Sequence, residues 1–333
     1  MNPIPKYKKK DGESIDIAVI GAGYWGSKHI CAYQNMPLVK LRLVCDIDEK
    51  KFNNYKNSIC IKDYKRLADY PSIKAVSIVV PDEFHYEIAK FCLTIGKHVL
   101  LEKPMTLSSS LALELIQLAR KRNLILGVGH VYAFDPVIVK LRNLVQNDYF
   151  GPLQFVGLYW KTLYNSQKKT DILFDLGYHP VQVLDFAFGL YPKQIDIAEQ
   201  FHSDKSNMVS MMGKANGTSI HMELSWLFPK KTREIYIIGK KKSVVANCVD
   251  KTITILETDS DNKLPLPKEC ERLNIKSVEP LFAELSHFIE SIKNRLGHVQ
   301  TSGMNGAEIL RVLERIHKKR KQKTDNSAAS RPR

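Results

Sequence analysis

IAVIGAGYWGSKHI, residues Ile17 to Ile30, followed by Asp46 at the end of the next apolar run, is the stretch that decides the fold. An apolar strand, a glycine turn, a helix start and an acidic residue at the next strand end arrive in the order that builds a dinucleotide pocket. Gly21 allows the tight turn, and Gly23 lets backbone approach a pyrophosphate. Gly26 lets the helix pack on the strand, its N-terminus toward the phosphates. Asp46 stands 20 residues beyond Gly26, the spacing of a carboxylate that binds ribose hydroxyls. Taken alone, the turn also reads as a glycine-rich turn in an ordinary α/β protein.

Outward from that stretch, residues 15–130 alternate strand and helix. Strand-like runs are Ile15–Ile20, Leu41–Asp46, Ala75–Val80, Val99–Leu101 and Leu124–Gly127, with helical stretches near 24–36, 84–95 and 108–122. This alternation predicts an α/β Rossmann domain, a doubly wound parallel sheet. Ligands bind such sheets at the carboxyl ends of the strands, here Gly21–Gly26, Asp46, Pro81–His85, Glu102–Pro104 and Gly129–His130. After Pro136 the pattern changes to consecutive β-rich runs: Leu153–Lys161, Ile195–Phe201, Met208–Ala215, Thr218–Trp226, Glu234–Ile238, Ser243–Cys248 and Thr252–Glu257. Short turns between them predict an α+β domain with a large, mainly antiparallel open sheet. One helical segment, about Ile172–Phe188, interrupts the strands. A final helical pair, about Pro280–Arg295 and Gly303–Lys321, is expected to pack back and close the fold. The expected division is a disordered basic arm at 1–14, a dinucleotide domain at 15–133, a substrate and oligomerisation domain at 134–322 and a disordered tail at 323–333.

Length and charge bound the reading further. A chain of 333 residues accommodates two domains with separate cores. No apolar run approaches the ~20 residues of a membrane span, and the N-terminus has no apolar signal region. The net charge is +15, of which residues 1–14 hold +2 and residues 318–333 hold +6. A basic tail can bind nucleic acid, but no recognition motif or interleaved aromatics accompany it, so nucleic acid is not an expected partner. The six cysteines, at 31, 45, 60, 92, 248 and 270, form no zinc-spaced cluster, and no metal is expected. They read as thiols in a reducing, cytoplasmic compartment.

Two clusters carry chemistry. In GKHVLLEKPMTLS (Gly96–Ser108), Lys103 follows a buried strand and precedes a proline. A lysine there can bond a substrate hydroxyl or exchange its proton; the plainer reading is a solvated lysine paired with Glu102. In DILFDLGYHPVQVLDFAFG (Asp171–Gly189), Asp175 and His179 stand four apart. A carboxylate one turn from an imidazole fixes its tautomer and supports its charged form; the plainer reading is a helix-surface pair or an N-cap. Pro180 points to a helix starting near His179. Lys161, Tyr164, Lys168 and Lys169, on the segment before Asp175, are candidate contacts for a sugar or diphosphate, or simply a solvated basic loop. Asp46 favours NAD over NADP, because a carboxylate repels a 2′-phosphate and neither Ile47 nor Asp48 is an arginine.

Together GAGYWG, VVPDEFHYEIAKFCLTIGKHVLLEKPMTLS and GHVYAFDP make the chain resemble the glucose–fructose oxidoreductase/inositol dehydrogenase (Gfo/Idh/MocA) family, from about Ile15 to Lys321. The Glu102-Lys103-Pro104 motif is the most specific mark. The resemblance implies catalytic roles for Lys103, Asp175 and His179, and places His85 at the nicotinamide end of the cofactor. Cofactor contacts are expected from the turn (Gly21, Gly23, Tyr24, Trp25, Gly26), from Asp46, and from the strand-end residues Pro81, His85, Glu102 and Lys103. It implies oligomerisation, as a homodimer or homotetramer, through the outer face of the second sheet. Within the family the chain looks most like the nucleotide-sugar branch, which includes UDP-N-acetylglucosamine and UDP-N-acetylglucosaminuronate 3-dehydrogenases. Tyr178-His179-Pro180 replaces that branch's Pro-His-Asp, and Ala133 stands before Phe134-Asp135-Pro136 where arginine is usual; both bear on the substrate. The expected reaction is hydride transfer between a sugar hydroxyl and NAD, with His179 or Lys103 taking the proton. A free polyol dehydrogenase and a non-catalytic NAD-binding regulator are the alternatives.

Overall fold

The computed structural model describes residues 14–163, 171–202, 205–257, 269–294 and 299–329. In chain order its elements begin β1 (Ile15–Ile20), α1 (Tyr24–Gln34), β2 (Val39–Cys45), β3 (Ile59–Ile61), β4 (Ala75–Ile78), α2 (His85–Thr94), β5 (His98–Leu101), α3 (Ser109–Lys121) and β6 (Leu126–Val128). They continue with α4 (Pro136–Gln146), β7 (Leu153–Leu163), α5 (Ile172–Asp175), α6 (Tyr178–Val183), β8 (Gln194–His202), β9 (Lys205–Ala215) and β10 (Thr218–Ser225). The last are β11 (Leu227–Gly239), β12 (Lys242–Asn247), β13 (Thr252–Glu257), β14 (Glu269–Asn274), α7 (Pro280–Lys293) and α8 (Gly303–Ala329).

The chain forms two units. The first takes the described residues up to Val131 together with Glu279–Glu308. Its six strands are all parallel, in the order β3-β2-β1-β4-β5-β6. Strand order reverses between β1 and β4, which opens a crevice at their carboxyl ends. Ile17, Ala18 and Val19 are fully buried, as a central strand covered on both faces requires. The edge strand β3 has three residues, too short to leave a periodic signal of its own. Beyond β6, an antiparallel bridge from Gly127 to Ser302 and a bond from the Val128 amide to Thr301 O (2.9 Å) cover the sheet edge.

α7, one of the final pair expected to close the fold, groups with the first unit. Glu279 caps it through the Phe282 amide, and Pro280 sits in its first turn, where a missing N–H costs nothing. Leu281, Phe282, Leu285, Phe288 and Ile289 recur at helical spacing and share one buried core with Ile17, Val19, Ile30, Tyr33 and Leu100. Each such side chain stabilises by roughly 1.5–3 kcal/mol on burial, so that stripe holds α7 to the Rossmann sheet.

The second unit comprises Tyr132–Val278 and the chain from Ile309 onward. Its eight-stranded sheet runs β14-β13-β12-β11-β7-β10-β9-β8. β7 and β10 are parallel; every other neighbouring pair is antiparallel. In β10 Thr218, Ile220, Met222 and Leu224 turn inward while Ser219, His221 and Glu223 stay partly exposed, the alternation of a sheet covered on one face. The strand β14 was not expected; its ECERLN is too charged to stand out. The helical segment anticipated over 172–188 is broken into α5, α6 and a wider turn at Leu184–Phe188 closed by Gly189 (φ 61°).

α8 runs on into the segment expected as a tail and extends to Ala329. The run KKRKQK (318–323) consists of good helix formers. Its Arg320 is no loose tail charge. The guanidinium meets both Asp171 oxygens at 2.8 and 2.7 Å, and its Nε lies 2.9 Å from Glu199. Among the described residues no helix is long and apolar enough to cross a membrane.

Candidate functional site

Three glycines shape the turn between β1 and α1. Gly21 has φ 95°, and a Cβ there would stand 2.0 Å from Val79 O. A Cβ on Gly26 would stand 1.9 Å from Gly21 O. The protein's own backbone thus demands both. A Cβ on Gly23 would meet nothing within 4 Å. The chain itself places no steric demand on that position. Gly23 is also the N-cap of α1 and offers no capping oxygen, and no acidic residue occupies the first turn. A cradle with open space, aimed by a helix N-terminus that lacks a side-chain anion, fits a dinucleotide pyrophosphate. Tyr24 and Trp25 project from this turn, 74% and 48% exposed, with Lys28 Nζ 4.4 Å from both ring centres.

Asp46 follows β2 and is buried, 8% exposed. Its Oδ2 accepts the Ala22 amide at 2.7 Å and its Oδ1 the Asp48 amide at 2.9 Å, so it ties the glycine turn to the next loop. Lys51 Nζ lies 3.1 and 3.0 Å from Oδ1 and Oδ2. Burial alone would push this carboxyl up; the two amides and the Lys51 ammonium hold it below the usual carboxylate range.

Lys103 follows β5 at the carboxyl end of the sheet. Glu102 pins it: Glu102 Oε2 accepts the Lys103 amide at 3.1 Å, while Oε1 lies 3.2 Å from His29 Nε2 on α1. Burial opposes the charge of Glu102, but His29 and Lys103 outweigh it and keep the carboxyl below its ordinary value. Behind His29 stand Ser77 (3.4 Å from Nδ1) and Tyr33, whose hydroxyl is 2.8 Å from Ser77 Oγ. Gly129 leaves room for this carboxylate; a Cβ there would stand 3.0 Å from it. His29 was missed in the sequence. Its signal was a polar residue on the buried stripe Gly26, Ile30 and Tyr33 of α1.

His85 is buried, with Nδ1 2.7 Å from Pro104 O and Nε2 2.9 Å from Val80 O. Both ring nitrogens thus brace the loops after β4 and β5. His85, expected at the nicotinamide end of the cofactor, stands at the start of α2 after β4, and one tautomer of its ring donates to only one of these two carbonyls. Pro81 is exposed at the end of β4's loop. Two further buried groups stand near Glu102. Burial pushes the His130 imidazole down to about 3, and burial with the nearby Glu102 charge pushes the Glu284 carboxyl well above its ordinary range.

In the second unit Asp175 ends α5 and His179 lies in the first turn of α6, both half-buried; Gly177 between them keeps a right-handed helical conformation. The His179 ring meets Tyr132 edge-on at 5.0 Å, and Tyr132 in turn meets Trp160 at 5.4 Å. Arg233 Nε donates to the Tyr132 hydroxyl at 3.2 Å. Tyr132 and Arg233 were not anticipated. Lys161 is held by Glu223 at 3.2 Å and lies over the Phe228 ring at 4.3 Å. Tyr164, Lys168 and Lys169 lie outside the described residues.

The sheet order, the open cradle at Gly23 and the carboxylate at the end of β2 make a Rossmann domain whose residues fit a dinucleotide. Residues 15–130 match the family described as an oxidoreductase family with an NAD-binding Rossmann fold, Gfo/Idh/MocA. It is similar to UDP-N-acetylglucosamine 3-dehydrogenase of Acidithiobacillus ferrooxidans, 25% identical over 284 residues, 82% of this chain and 87% of the relative. The solved structure of that enzyme superposes with a TM-score of 0.80 at 22% identity, covering 91% of this chain and 96% of that one. Levoglucosan dehydrogenase in complex with NADH has the same fold, with a TM-score of 0.80 at 16% identity over 91% of this chain and 95% of its own. The uncharacterized oxidoreductase YrbE of Bacillus subtilis is 29% identical over 143 residues; that match spans 42% of each chain.

Proposed function

We propose that this oxidoreductase is an NAD-dependent dehydrogenase of a sugar hydroxyl, at C3 of a nucleotide-linked sugar such as a UDP-N-acetylhexosamine or its uronate. The observation that carries the reading is Lys103 at the carboxyl end of β5, its amide fixed by Glu102. A basic side chain whose backbone cannot drift is suited to exchange a hydroxyl proton. The substrate class is supported by similarity to the UDP-N-acetylglucosamine enzyme along 82% of the chain. Gly23 and the first turn of α1 hold the pyrophosphate, and Asp46 the adenosine ribose, which favours NAD over NADP. When bound, the dinucleotide supplies the hydride acceptor. Lys103 exchanges the hydroxyl proton; the family resemblance implies the same role for His179, with Asp175 orienting its imidazole. The chain works as a homodimer or homotetramer in the cytoplasm.

Absorbance at 340 nm with UDP-N-acetylhexosamines, their uronates and free inositols tests the assignment. Turnover is expected with the UDP-sugars. Lys103→Ala and His179→Ala should each lower kcat by about 100-fold or more, the size of a general acid–base contribution, with NADH binding nearly unchanged. Turnover with inositols alone would overturn the substrate, and full activity in both variants would overturn the site.

A further inference from the structure

We propose that Lys51 sets the dinucleotide selectivity of this chain by competing for the ribose carboxylate. The proposal rests on the reading of Asp46 as that carboxylate. An ionised carboxyl has two oxygens and about four lone-pair positions. Here the chain itself fills all four: Oδ2 takes the Ala22 amide and Lys51 Nζ, and Oδ1 takes the Asp48 amide and Lys51 Nζ. The two amides belong to the glycine turn and the loop after β2 and cannot leave without moving backbone. Lys51 stands on a flexible stem with its side chain 36% exposed. It is the partner that can yield.

The local sequence explains why this cation is present. Ile47 and Asp48 supply no positive charge, as the residues directly after Asp46 show. Asp48, however, caps a short 3₁₀ turn over Glu49–Asn54, its side chain accepting the Lys50 amide at 3.1 Å. That turn doubles the chain back and returns Lys51 to Asp46. A lysine five residues on therefore reaches the site where position-by-position reading found none.

Two consequences follow. A ribose diol that bonds Asp46 displaces Lys51, so NAD is bound by exchange and gains less than it would from a bare carboxylate. A 2′-phosphate, carrying close to two negative charges, meets an ammonium already at the carboxylate, which offsets the repulsion that normally excludes NADP. The chain should accept both dinucleotides, with a preference for NAD that Lys51 narrows.

Equilibrium titration of the full chain with NADH and NADPH, followed by nicotinamide fluorescence, tests this without substrate. Lys51→Met should tighten NADH and weaken NADPH, widening the ratio of their Kd values about tenfold or more, the scale of a hydrogen bond to a charged group. Lys51→Arg should keep the wild-type ratio. Asp46→Asn should weaken NADH and shrink the ratio. Lys51→Met with an unchanged ratio and an unchanged melting temperature would overturn the role of Lys51 while leaving the ribose site standing. An Asp46→Asn variant that alters neither affinity, or a wild-type chain that binds neither dinucleotide, would overturn the ribose assignment and this proposal with it.

Discussion

Gly21 and Gly23 sit two residues apart and answer to different constraints. Gly21→Ala would drive a methyl into Val79 O at a backbone angle that L-residues avoid, so it should lower the melting temperature by several degrees. Gly23→Ala meets open space at φ −72° and should leave the melting temperature within a degree or two. The same methyl would stand where a pyrophosphate approaches, so NADH affinity should fall about tenfold or more, as expected where close backbone approach is lost. Calorimetry and titration on the two variants check the contrast. Glu284 and His130 set opposite pH limits. The unfolded chain releases the Glu284 proton near 4.5, while the folded chain keeps it; raising pH above that value removes a proton from the unfolded state only, and stability falls. For His130 the unfolded chain gains a proton near 6.5 that the fold refuses until about 3, so stability is lost as pH is lowered from 6.5 toward 3. Glu284→Gln, which mimics the protonated form, should raise the melting temperature at pH 8 and leave it unchanged near pH 4. Each kcal/mol recovered corresponds to roughly 2–4 °C in a domain of this size. An equal gain at both pH values would contradict the buried neutral carboxyl.

At the scale of elements, what the sequence disclosed was what repeats locally. β1, the glycine turn and α1 were legible because strand, turn and helix each leave a signature within about ten residues. The second sheet was legible from alternating apolar residues and short turns. What stayed hidden depends on partners far along the chain. His29 reads as one polar residue on a buried stripe until Glu102, 73 residues away, is placed beside it. Arg320 reads as part of a basic run until Asp171 and Glu199 close on it. Lys51 needed the turn that Asp48 caps. The apolar stripe of α7 was plain, but periodicity records that a helix has a buried face and not which sheet covers it. The edge strands β3 and β14 were missed for two reasons: one is short, the other charged.

For the whole molecule, the division of the chain predicts how fragments behave. Residues 1–131 carry every strand of the Rossmann sheet yet lack α7, whose Leu281, Phe282, Leu285 and Phe288 complete its core. Expressed alone, that fragment should expose the vacated face, bind a hydrophobic dye and scatter light; supplying residues 279–308 on a flexible linker should restore a cooperative melt. A fragment 1–131 that melts cooperatively by itself would show α7 to be dispensable. The same division has a meaning on the ribosome. A Rossmann unit written in two pieces cannot finish as it emerges. With 177 residues to be added after Val131 before Glu308 is in place, synthesis at about 5–20 residues per second leaves the sheet waiting roughly 10–35 s for this segment. For that interval the nascent chain holds an unclosed apolar surface, and its yield in the cell depends on what shields it.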